Sequence, residues 1–299
     1  MWIWMAICSA FLLGFYDVFK KKASENNGVI NVLLFATGIS TICFLPLIFS
    51  SLLGWGLADG TLLDMGHGTL RDHLWLAGKS CIVTISWITG LLGLKHLPIT
   101  TAGTMKATRP VFILLGSILI FGERPNAGQW IGIITSIFAL YLLSRSSRKE
   151  GIAFSSNKWV WLMGLSIISG AASAMIDKRI MSWMTPMFAQ SWSNLYITII
   201  LALITGVCAL LRSDLSEKFH WDWYIFLIAL FLTVSDFLYF FALSVEGSMI
   251  SIISMLRRSA VIITFLCGAI FFKEHRIKEK AVALAILLIG MAILVFGSR

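Results

Sequence analysis

The chain has 299 residues, 58% of them hydrophobic and only 13% charged, with a formal charge of +9 and a mean hydropathy of +0.86. Soluble domains carry about 45–50% apolar residues and about a quarter charged ones. The composition therefore excludes an ordinary soluble fold and predicts an all-α integral membrane protein. Its basic excess sits in short segments between apolar runs, which fits membrane topology, so nucleic acid is not an expected partner.

A hydrocarbon core of about 30 Å takes roughly 20 apolar residues per helix. On that ruler ten spans follow in order: 2–20, 30–53, 73–94, 99–121, 126–144, 159–179, 187–211, 221–243, 248–272 and 277–297. No charged segment precedes the first run, so no cleavable signal peptide is expected. Tryptophans recur near span ends (Trp2, Trp4, Trp55, Trp75, Trp130, Trp161, Trp183, Trp221), as an aromatic belt predicts. Most links are short and set successive helices side by side and antiparallel. Two are longer. The 54–72 segment carries Asp59, Asp64, His67 and Asp72 without a metal-ligand spacing, and reads as a solvated loop with a short surface helix. The other, 146–158, reads as the linker between two halves, 1–145 and 159–299. Cys8, Cys43, Cys81, Cys208 and Cys267 lie within apolar runs with no CxxC spacing, which makes them packing residues rather than disulfide partners or metal ligands. No metal and no cofactor is expected.

Two stretches resemble each other. Residues 102–124, AGTMKATRPVFILLGSILIFGER, and 253–275, ISMLRRSAVIITFLCGAIFFKEH, are both apolar runs with cations inside and a Glu at the end. A shift of 151 positions lays Glu123 on Glu274, Phe121 on Phe272 and Lys106 on Arg257. A shift of 160 lays Ala6, Ala10, Gly14 and Asp17 on Ser166, Gly170, Ala174 and Asp177. Spacing of four places small residues on one helix face, where backbones approach closely. These matches predict two five-span repeats. Because five is odd, the second repeat is inverted, and in such folds the substrate site lies near the bilayer midplane between the halves. Lys and Arg fall fourteen on one set of loops (Lys20, Lys21, Lys22, Lys95, Arg145, Arg148, Lys149, Lys158, Arg212, Lys218, Lys273, Arg276, Lys278, Lys280) and five on the other (Arg71, Arg124, Lys178, Arg179, Arg299). By the positive-inside rule this puts both termini outside.

The chain resembles the drug/metabolite transporter superfamily, in particular its ten-helix EamA-like members. The resemblance rests on Phe121-Gly122-Glu123-Arg124 and Phe272-Lys273-Glu274-His275, each followed by another span, and on the ends of the third and eighth spans, GLLGLKHLP and YFFALSVEGS. It implies a multi-pass secondary transporter of two inverted five-helix repeats in a bacterial inner membrane, with cytoplasmic termini, opposite to the Lys/Arg count. A finer likeness is to the triose-phosphate/phosphate translocators, a branch of the same superfamily. Lys106-Ala107-Thr108-Arg109-Pro110-Val111-Phe112 resembles a fourth-helix motif of that branch, and Arg257-Arg258 its ninth-helix pair. There such cations hold the substrate phosphate, a role that the likeness implies for Lys106, Arg257 and Arg258. Arg109 departs from the pattern, since an acidic residue is common there, and makes the region more cationic.

A charge at bilayer depth costs at least ~2.5 kcal/mol and is functional by default. Lys106 and Arg109 are three apart and share a helix face. Arg257 and Arg258 diverge by about 100°. Arg suits bidentate contact with phosphate or carboxylate, and Lys supplies a mobile point charge. Asp17, Asp177 and Asp236 can balance them, the first two near span ends as interfacial ion pairs or coupling groups, Asp236 deeper as a substrate or proton contact. Lys79 is expected to snorkel to the headgroups. Trp87, Tyr239 and Phe240 are candidate wall residues, Thr104, Thr108, Ser251, Ser254 and Ser259 candidate lining hydroxyls, and Pro110 a candidate kink. Two readings follow: a secondary transporter of a small, phosphorylated or carboxylated anionic metabolite, or an exporter of neutral or cationic metabolites such as amino acids or drugs, with the cations held as structural pairs. No HExxH or GxSxG motif is present, and Ser173 has no His in the interior of a span to pair with, so an enzyme is not expected. The expected partners are a small-molecule substrate and the lipid bilayer, with the chain a monomer or a homodimer.

Overall fold

The computed structural model describes residues 2–25, 27–56, 58, 60–61, 63–66, 68–121, 126–210, 219–245, 253, 256–274 and 276–296. Gly122, Glu123, Arg124, Asp59, His67, Arg212, Lys218, Ser251, Ser254, His275 and Arg299, all singled out by sequence, lie outside the described residues. Among the described residues the secondary structure is helical: α1 Trp2–Glu25, α2 Val29–Leu53, α3 Leu70–His96, α4 Ile99–Ala107, α5 Arg109–Phe121, α6 Ala127–Arg148, α7 Lys158–Ile180, α8 Pro186–Leu210, α9 Trp223–Ser244, α10 Ala260–Ile270 and α11 Ile277–Phe296. Seven of these (α1, α2, α3, α6, α7, α8 and α9) are long and apolar enough to cross a bilayer. The chain is an all-α, multi-pass integral membrane protein. The described part of the 54–69 segment forms turns and no helix, so the surface helix expected there is absent from it.

Helix starts follow local chemistry. Thr69 with Asp72, and Asn126 with Gln129, form reciprocal capping boxes before α3 and α6, while Asn157 and Asp222 cap α7 and α9. Each side chain satisfies amides that the first turn leaves without a partner.

The fourth and ninth spans are broken. Thr108 is a turn between α4 and α5, and its hydroxyl donates to the Met105 carbonyl at 2.7 Å. Residues 256–258 are helical, Ser259 is a turn, and its hydroxyl donates to the Leu256 carbonyl at 2.6 Å. Pro110 explains the first break, because it brings no N–H to the ladder. The second has no proline, and the hydroxyl bond to the backbone is its visible cause.

The helices pair across the two halves of the chain. α1 packs on α9 and α10, α7 on α3 and on α5, α2 on α8, α4 on α10, and α6 on α11. Two reciprocal serine contacts clamp the pairs. Ser9 Oγ donates to the Ser235 carbonyl at 2.7 Å and Ser235 Oγ to the Ser9 carbonyl at 2.9 Å. Ser86 Oγ and Ser166 Oγ exchange the same bonds between α3 and α7, at 2.7 and 2.6 Å. Gly14 lets α1 approach α10, since a Cβ there would stand 2.7 Å from Ile263 Cβ. Large apolar side chains such as Trp4, Phe11, Ile42, Ile134 and Leu203 point outward, the inverse of a soluble core.

One end of the bundle is laced by polar contacts. Glu274, after α10, accepts the Ile99 and Thr100 amides and the Thr100 hydroxyl, and so caps α4 in place of Pro98, which offers no side-chain bond. Lys280, fully buried, lies 2.8 Å from Glu150 and 3.8 Å from Glu274. Lys21 Nζ donates to the carbonyls of Leu94, Lys95 and Leu97 at the end of α3. Lys280 was expected as a loop cation; the structure buries it as a staple.

Candidate functional site

Between the helix pairs lies a cavity of about 190 Å³, lined from α1, α3, α4, α5, α7, α8, α9 and the segment before α10. Lys106, Arg109, Arg257, Arg258, Asp236, Asp17 and Asp177, the site residues expected from sequence, all line it. They converge because both broken spans bend at the cavity: Lys106 and Arg109 flank the Thr108 turn, and Arg257 and Arg258 precede the Ser259 turn.

Three ion pairs organise the charges. Lys106 Nζ lies 2.7 Å from Asp17 Oδ1. Lys79 is paired with Asp177, and Arg257 with Asp236. The Arg257 guanidinium also sits over the Tyr239 ring, 4.1 Å from its centroid. Each pair joins two helices, and side-chain exposures of 5–21% keep them from bulk water.

One expectation is corrected here. Lys79 does not snorkel to the headgroups; its side chain is 5% exposed and reaches Asp177 across the cavity, with Phe240 beneath it. Asp17 and Asp177 both form ion pairs. They face the cavity, because α1 and α7 carry their small-residue faces inward.

Lys20, counted among the loop cations, is also a lining residue. It is 4% exposed, donates to the Tyr16 hydroxyl at 3.1 Å and lies over the Tyr16 and Trp87 rings. The lining thus holds six cations, Lys20, Lys79, Lys106, Arg109, Arg257 and Arg258, against three carboxylates. All three carboxylates are engaged. Among the described residues Lys20, Arg109 and Arg258 have no carboxylate partner. The Arg109 guanidinium lies against Gly170, where a Cβ would collide with it, and its Nε has no hydrogen-bond partner.

Trp87, Tyr239 and Phe240 line the wall as expected. Thr104, Thr108 and Ser259 instead return their hydroxyls to backbone carbonyls. Sequence reading missed Tyr16, Gln190, Ser193 and Asn194. The visible signal for the last three was the polar run Gln190-Ser191-Trp192-Ser193-Asn194 inside an otherwise apolar span. Among the described residues no cluster of His, Cys, Asp or Glu suits a metal.

Residues 1–145 match the EamA-like transporter family. Over 126 residues, 42% of the chain, the sequence is 28% identical to an uncharacterized transporter of Pseudomonas aeruginosa, and the match spans 40% of that relative's length. A protein of known crystal structure shares the fold with a TM-score of 0.60 over 95% of this chain and 96% of its own, at 17% identity.

Proposed function

We propose that this chain, whose first 145 residues match the EamA-like transporter family, is a transporter of the drug/metabolite superfamily that carries a small anionic metabolite by alternating access. The observation that carries the reading is the charge balance of the cavity, six cations to three carboxylates with every carboxylate already paired. Lys106, Lys79 and Arg257 act as staples with Asp17, Asp177 and Asp236. Lys20, Arg109 and Arg258 supply the charge that a phosphate or carboxylate neutralises. Asp236, the contact on which a cationic substrate would depend, is engaged by Arg257.

Two inverted five-span repeats would give this site its two-sided access. The helix pairing supports that arrangement. Exchanging each span with the one five positions along the chain turns the α1–α9 contact into α7–α3, and maps α2–α8, α4–α10 and α6–α11 onto themselves. Both broken spans, at Thr108 and Ser259, and both serine clamps fit the same exchange. The similar transporter is bacterial, and a bacterial inner membrane is the location in keeping with this role.

Uptake into vesicles containing the purified protein tests the reading. Labelled glycerol 3-phosphate and malate are compared with a neutral amino acid and a quaternary amine. Saturable uptake of an anion, lost in Arg258→Gln, is the expected result. Saturable uptake of the amine or neutral amino acid, with no anion carried, would overturn it.

A further inference from the structure

The cavity has one uncharged wall, and it comes from α8. Gln190, Ser193, Asn194 and Ile197 follow helical spacing on a single face and all line the cavity. α8 packs on α2, α3 and α9, whereas the fourth and ninth spans, which bring the arginines, pack on each other. Substrate between them therefore meets cations from one wall and neutral polar groups from another.

The α8 face is unfinished in hydrogen-bonding terms. Gln190 Nε2 donates to the Thr233 carbonyl at 3.1 Å, which fixes the amide and leaves Oε1 buried without a partner. Ser193 Oγ is likewise buried and unpartnered. Both residues are more than nine-tenths buried, at 2% and 7% exposure. Burying such groups unpaired is costly, so a group that donates to them gains more than it would at a wet surface.

Resting on the anion reading above, we propose that this face selects a hydroxyl on the substrate, so that the cargo is a hydroxylated anion. Its charged end would meet Arg109 and Arg258. Its hydroxyl would donate to Gln190 Oε1, with Ser193 and Asn194 beside it. An ammonium in this position would find only neutral acceptors, since Asp17, Asp177 and Asp236 are each held by a cation. A bare methylene would leave the acceptors unpaired, and a site built to bond a hydroxyl rejects the analogue that lacks one.

The test measures dissociation constants of the purified full-length protein for two matched pairs, malate against succinate and glycerol 3-phosphate against propyl phosphate. The hydroxylated member of each pair is expected to bind at least about ten-fold more tightly. That ratio should fall towards one in Ser193→Ala and in Gln190→Met, while Arg258→Gln weakens both members together. Equal binding of both members by the wild type, or a ratio that survives both α8 substitutions, would overturn the α8 proposal and leave the anion site standing. If no anion binds and an amine does, the anion reading falls and this one with it.

Discussion

At the scale of single residues, the same charge has two kinds of consequence, decided by its partner. Lys106 is tied to Asp17, and Lys106→Gln takes the paired cation from a buried carboxylate, which costs up to about 3–5 kcal/mol. The double change Lys106→Gln with Asp17→Asn should recover most of that loss in a thermal melt, because it removes the orphaned charge. Arg258 has no carboxylate among the described residues, so Arg258→Gln relieves like charge and should not lower stability, yet should sharply weaken anion binding. Gly170→Ala is a third case. Its Cβ meets the Arg109 guanidinium, so the side chain must move, and anion affinity should drop while the fold persists, as titration of a bound anion would show.

At the scale of elements, the broken spans and their caps carry the account. Glu274 stands in for the side-chain cap that Pro98 lacks, and it also meets buried Lys280. Glu274→Ala should therefore cost about 1–3 kcal/mol through unpaired α4 amides and a Lys280 left with Glu150 alone. The approach of Glu274 depends on Lys273, which sits at φ 47°, where a Cβ is strained. Lys273→Gly should be neutral or stabilising by up to about 1 kcal/mol, and a clear loss in a melt would contradict this view of the turn. The Glu-ended run was legible in sequence because charge inside an apolar stretch is rare. Its use as a cap was not, because Ile99 and Glu274 are far apart in the chain. Under the two-repeat reading, Ser9 answers to Ser166, one helical turn from the register that small residues alone suggested. Small residues recur too often to fix a register, whereas reciprocal hydroxyl bonds fix one.

At the scale of the whole molecule, the proposed alternating access would require a site with unbalanced cations to reorient, and such a site resists doing so empty. Burying unpaired charge costs several kcal/mol, whereas a bound anion cancels it. Uptake into vesicles preloaded with anion should thus exceed uptake into empty ones by at least about ten-fold, equivalent to 1.4 kcal/mol. Equal rates would mean that the empty carrier reorients freely. The all-α membrane class and the convergence of the fourth and ninth spans were legible from hydropathy and from the internal match. The full charge balance was not. Lys20 and Lys79 fall near predicted span ends, but α1 runs on to Glu25 and α3 begins at Leu70, which draws both lysines inside the bundle. A window of mean hydropathy does not see which face a lysine takes. The most direct test is the thermal stability of purified wild type, Lys106→Gln and Arg258→Gln against phosphates, carboxylates, amino acids and amines, since a ligand of the folded state raises its stability. The anion site predicts that an anion stabilises the wild type, that Arg258→Gln melts no lower than wild type but gains far less from the anion, and that Lys106→Gln melts low. Stabilisation of Arg258→Gln by the same anion to the same degree, or of the wild type by amines alone, would contradict it.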